Sequence, residues 1–159
     1  MTEDGQAQLI EKFWHSFLAT LPSAQERERA KYQAWAFGNT PELADRLGEL
    51  VRRGVKTATA ALEWVFDEGK EPQPAVGEYS IILDGRGQPL CIIQTTELRS
   101  VPFSEVDPEH AFLEGEGDRS LAYWREVHWS YFKEECRSLG RTPDERMPIV
   151  CERFRLVYK

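Results

Sequence analysis

Apolar side chains recur at spacings of three and four over residues 8–20, QLIEKFWHSFLAT, and put Leu9, Ile10, Phe13, Trp14, Phe17 and Leu18 on one helical face that ends before Pro22. The polar stretch SAQERERAKY is compatible with a short helix, and the aromatic QAWAFGNT, closed by Gly38-Asn39, reads as a strand. Thr40 can then cap a helix with Pro41 at its first position and Glu42 in its first turn. Leu43, Leu47, Leu50 and Val51 form its buried stripe, Arg52 and Arg53 sit at its end, and Gly54 offers a left-handed stop. From Thr57 the period shifts towards two, so TATAALEWVF begins as a strand, and EGKEPQPAVGE follows as a loop. Tyr79–Leu83 and Leu90–Leu98 flank a glycine-rich turn at Asp84–Gln88 and read as a hairpin. A turn and a short helix capped by Ser104 or Asp107 come next, then the acidic glycine loop EGEGDRS. LAYWREVHWSYFKEECRSL gives a long helix ended by Gly140, and the alternating tail IVCERFRLVYK gives a closing strand. Strands on both sides of helical segments predict an α+β fold: a small, mostly antiparallel β-barrel or curled sheet with flanking helices.

Composition narrows the function classes. The 159 residues are 41% hydrophobic and 30% charged without long single-sign blocks, which suits one soluble globular domain over 1–159. No apolar run approaches the ~18–20 residues that span a bilayer, so no membrane partner is expected. The opening MTEDGQAQLI lacks a basic-then-apolar pattern, so no secretory signal is expected. Cys91, Cys136 and Cys151 have no CxxC or Cys/His ligand spacing; reduced core thiols in a cytoplasmic protein are expected. A net charge of −7 disfavours broad non-specific duplex binding but leaves room for a small local basic site.

The chemistry-bearing candidates are few. In VKTATA, Lys56 and Thr59 face opposite sides of a regular strand, and meet only if Lys56 still belongs to the turn after Gly54. One reading is a solvated lysine beside a β-forming threonine. Another is a buried lysine that activates the threonine hydroxyl, or that holds a phosphate or carboxylate. The acids Glu114, Glu116 and Asp118 either favour the start of the following helix or supply a carboxylate that orients Lys56. They do not form an EF-hand, because the twelfth position from Glu114 is Arg125. His15, His110 and His128 are scattered, so no zinc site or other metal centre is expected, and no cofactor motif is present. His128, beside Trp124 and Tyr131, reads as a satisfied semi-buried histidine, and Trp124 as core. Trp35 and Trp64 are better candidates for stacking on a base, with Arg52 and Arg53 available for phosphate.

Three blocks in order, WAFGNTPELADRLGELVRRGVKTATAALEW, PLCIIQTTELRSVPFSEV and EGEGDRSLAYWREVHWSYF, resemble the ASCH superfamily, and in particular its longer bacterial PUA-related subgroup. The resemblance runs from about Trp35 to the C-terminus and leaves residues 1–31 as an N-terminal helical extension. It implies a PUA-like barrel with a cleft containing a Gly-x-Lys-x-x-Thr signature, here Gly54, Lys56 and Thr59. In the small members that deacylate N4-acetylcytidine, that lysine and threonine act with a glutamate; the matching residue here is Glu116, with Glu114 second. The resemblance therefore implies a nucleoside, nucleotide or RNA ligand. It also implies catalytic roles for Lys56, Thr59 and Glu116, with Glu114 as the second carboxylate; Arg53, Trp35 and Trp64 are ligand contacts expected from their residue types and positions. A non-catalytic RNA-binding module and a metal-assisted ribonuclease are the alternatives. The small residues that follow Thr59 depart from those amidohydrolases and imply a different pocket size.

Overall fold

A computed structural model describes residues 2–159. Helices α1 (Glu3–Leu18) and α2 (Ala24–Arg29) precede strand β1 (Tyr32–Trp35) and helix α3 (Pro41–Arg52). Strand β2 (Ala58–Leu62) runs into the short α4 (Glu63–Asp67) and is followed by the hairpin of β3 (Tyr79–Leu83) and β4 (Pro89–Pro102). A 3-10 turn at Phe103–Glu105, α5 (Pro108–Glu114), α6 (Leu121–Ser138) and β5 (Pro148–Tyr158) complete the order. Local chemistry sets most boundaries. Thr40 Oγ1 accepts the Leu43 N–H at 3.1 Å, Pro41 opens α3, and Gly54 lies just beyond it at φ +77°. Asp107 caps α5 and Ser120 caps α6 in the same way.

The five strands lie in the order β1-β3-β4-β5-β2. β3 pairs antiparallel with β4 and β2 antiparallel with β5, whereas β1 pairs parallel with β3. The expected closed barrel is not formed: the sheet is mixed and open, with β1 and β2 as its edges. The mixed pairing follows from the connection from β1 to β3. It passes through α3, β2 and α4, and a crossover of that kind returns the chain parallel rather than antiparallel.

The chain divides into two compact units. The first comprises the chain up to Gly54, Val76–Thr95 and Arg155–Lys159, and its core gathers Trp14, Phe17, Ile81 and Ile92. The second comprises Val55–Ala75 and Thr96–Phe154. Its core joins Leu62 and Val65 to Phe103, Trp124 and Phe132, and to Met147, Ile149 and Cys151. The three cysteines are free and buried, and burial pushes the Cys91 and Cys151 thiols up to about 12, which keeps them unreactive. Among the described residues no helix is long and apolar enough to cross a membrane.

Candidate functional site

The second unit buries a lysine. Lys56 stands in the link between α3 and β2 with only 1% of its side chain exposed, so the solvated reading does not hold. The link is clamped on both sides. The Thr57 N–H donates to the Leu113 carbonyl at 2.8 Å, and the Phe154 N–H donates to the Thr57 carbonyl at 3.1 Å. Gly115, left-handed at φ +72°, ends α5 against this link: a Cβ there would stand 2.7 Å from the Val55 carbonyl oxygen. Only glycine fits such a position, for reasons of space and of backbone conformation alike.

An ammonium taken out of water costs several kcal/mol unless acceptors surround it. Lys56 Nζ donates to Glu116 Oε2 at 2.8 Å, to Glu114 Oε1 at 3.3 Å and to the Glu114 carbonyl at 3.4 Å. Glu114, expected in the acidic loop, is instead the last residue of α5 and fully buried. Its Oε2 accepts from His110 Nε2 at 2.9 Å and from Trp124 Nε1, and its Oε1 faces His128 Nε2 at 3.2 Å as well as Lys56. Burial pushes the Glu114 carboxyl up, but the Lys56 charge, the His128 charge and these hydrogen bonds outweigh it and hold the group well below the usual range. Four donors leave this carboxylate no open lone pair.

His128 is a charged partner. Its Nδ1 lies 2.9 Å from the Trp124 carbonyl and its Nε2 faces Glu114, so both nitrogens point at oxygens that cannot donate. Both contacts are attractive only for the imidazolium. Burial opposes that charge, yet the Glu114 carboxylate raises the His128 pKa above its ordinary value of 6.5. The ring stacks on Trp124 with centroids 4.2 Å apart. His110 is also buried, and its Nδ1 has no hydrogen-bond partner among the described residues.

Glu116 differs from Glu114. It is 15% exposed, Lys56 occupies its Oε2, and its Oε1 has no hydrogen-bond partner among the described residues. It is the carboxylate of this network that can meet a ligand.

Of the sequence-predicted residues, Lys56, Glu114 and Glu116 come together. Thr59 pairs with Glu152 in β2, and strand alternation turns its side chain away from the face on which Ala60 and Leu62 meet the core. Trp64 packs on that core with the Arg141 guanidinium 4.6 Å from its ring centroid. Trp35 and Arg53 belong to the first unit: Trp35 sits edge-on to Phe37 at 4.5 Å, and Arg53 is the exposed C-cap of α3. Trp124 is the core residue and His128 the satisfied, largely buried histidine that the sequence predicts, but their meeting with His110 at Glu114 was missed. A signal existed, because His110 and Glu114, and likewise Trp124 and His128, are four apart on one helix and so share a face. Glu114, Glu116 and His128 offer ligand atoms within 4.8 Å of one another, as a metal site would. Lys56 Nζ already supplies a cation to both carboxylates, so a divalent ion would have to displace it.

Comparison with known proteins agrees with this architecture. The ASCH domain family model matches residues 33–158. The structure resembles that of an ASCH domain from Lactobacillus crispatus JV V101, with a TM-score of 0.90 and 32% identity over 96% of each chain. It also resembles protein EF3133 from Enterococcus faecalis V583, described under the family label DUF984. That match has a TM-score of 0.82 and 35% identity over 96% of this chain and 90% of the other. No curated protein matches the sequence. With the family match spanning all but the N-terminal helices and both solved structures above 30% identity, the chain belongs to the ASCH domain family.

Proposed function

We propose that this chain binds a nucleoside, nucleotide or RNA through the Lys56–Glu116 pair. The observation that carries the reading is the contrast between the two carboxylates: Glu114 is saturated, whereas Glu116 keeps one oxygen open beside a buried ammonium. A carboxylate oxygen of this kind accepts from the exocyclic amino group of cytosine, and the lysine behind it keeps it ionised. Stability alone does not account for the network, since well-packed apolar side chains replace buried ion pairs at little or no cost.

A second reading, hydrolysis of an N4-acylcytidine-type amide by Lys56, Thr59 and Glu116, draws support from the 2.8 Å contact between Lys56 and Glu116. The orientation of Thr59 on β2 does not favour it. Calorimetric titration with cytidine, and an amide-cleavage assay with N4-acetylcytidine, test both readings. The binding account expects Glu116→Gln to weaken cytidine binding about tenfold, the loss of one charge-assisted hydrogen bond. It expects Thr59→Ala to leave binding unchanged. Turnover of N4-acetylcytidine that Thr59→Ala abolishes would favour hydrolysis instead, and unchanged binding in Glu116→Gln would remove the first reading.

A further inference from the structure

Next to Glu116 the loop carries a residue whose backbone is strained and whose charge is unspent. Arg119 is the one non-glycine residue at positive φ among the described residues, at +65°. That conformation costs a side-chain-bearing residue roughly 1–2 kcal/mol, and glycine would adopt it freely. The loop therefore keeps an arginine where a glycine would fold better. Its backbone N–H donates to the Glu116 carbonyl at 3.0 Å, and its Nε donates to the Phe112 carbonyl at 3.0 Å. Its guanidinium lies 3.7 Å from the centroid of the Phe112 ring, and Phe112 is 51% exposed at the end of α5.

These contacts fix the guanidinium without neutralising it. Glu116 and Asp118 are near in sequence, yet Arg119 forms no ion pair among the described residues, and both of its terminal nitrogens lack a hydrogen-bond partner among them. A planar, pre-oriented pair of N–H donors matches the geometry of a phosphate, and stacking on an aromatic ring lowers the entropy lost on binding. The exposed apolar ring beside it suits a base or sugar rather than a bare anion. Resting on the reading of Glu116 as the base-recognising group, we infer that Arg119, held by Phe112, is the phosphate-binding residue of the same site. The preferred ligand is then phosphorylated, a nucleotide or an RNA strand, bound more tightly than the uncharged nucleoside.

The test compares wild type, Arg119→Gln, Arg119→Gly and Glu116→Gln. Each is titrated with cytidine, with cytidine 5′-monophosphate and with a fluorescently labelled short single-stranded RNA over a range of salt. Arg119→Gly relieves the positive-φ strain and so keeps the domain folded, which thermal melting checks. The expected result is that both Arg119 variants bind the phosphorylated probes about tenfold more weakly at low salt, with cytidine binding unchanged. The slope of log affinity against log salt for RNA should flatten by about 0.7. Weakening of the RNA probe but not of the monophosphate assigns the contact to a phosphodiester; weakening of both assigns it to a single phosphate. If Glu116→Gln weakens all three probes while the Arg119 variants match wild type, the phosphate assignment is overturned and the reading of Glu116 stands. If no probe binds the wild-type protein, both fall.

Discussion

Glu114 and Glu116 are two residues apart, yet the fold gives them different work. Glu114 meets four donors in a buried setting, and its role is to hold Lys56, His128, His110 and Trp124 in register. Glu114→Gln removes the charge that Lys56 and His128 face. It should destabilise the protein by about 3 kcal/mol, the cost of leaving buried charges short of a partner, as read by chemical denaturation. A loss below ~1 kcal/mol would mean that the network relaxes around the change. The same pair of groups sets a pH dependence. Glu114 is depressed in the folded protein, so its contribution is present above its ordinary 4.5 and is lost as pH falls through the folded value. His128 is raised, so its contribution is complete below 6.5 and is lost as pH rises through the folded value. Thermal melting across pH should show the alkaline decline flattened in His128→Asn, with the acid limb retained.

At the level of elements, the site depends on how α5 stops. The left-handed Gly115 lets the chain pass over the Val55 carbonyl, which aligns the Lys56 link with the two glutamates. Gly115→Ala should cost about 1–3 kcal/mol and weaken cytidine binding together with stability, because it displaces the backbone that carries Glu116. Retained stability with lost binding would separate the turn from the scaffold. Helices and hairpin were legible in the sequence because their signals are local: Thr40-Pro41 opens α3, the Asp84–Gln88 turn joins β3 to β4, and Ser120 opens α6. Glu114 was misread because two glycines follow within three residues, and the resulting loop pattern masked the last position of α5. The sequence left Lys56 open between a solvated and a buried lysine, and the structure decides for burial. That burial arises from Glu114 at the end of α5 and Glu116 in the loop after it, some sixty positions further on, and no local period reports such a contact.

For the whole molecule, the open mixed sheet shows the same division between local and distant information. Alternation identified β2 and β5, the glycine-rich turn identified β3 and β4, and the short β1 was recognised by its aromatics, but strand order follows from long-range pairing. The net charge of −7 belongs to the whole chain, whereas at the site, within the second unit, Lys56 and His128 face the carboxylates of Glu114 and Glu116, and Arg119 forms no ion pair among the described residues. The central claim is that Glu116 and Lys56 form the ligand site of this unit. The most direct measurement is a nitrogen-15 NMR titration with cytidine 5′-monophosphate. It would follow the Trp124 indole N–H, which donates to Glu114, and the amides of Gly115 and Gly117 that flank Glu116. These three signals should shift together and saturate with ligand, and Glu116→Gln should suppress the response. Signals that stay fixed at saturating ligand, or an identical response in Glu116→Gln, would contradict the claim.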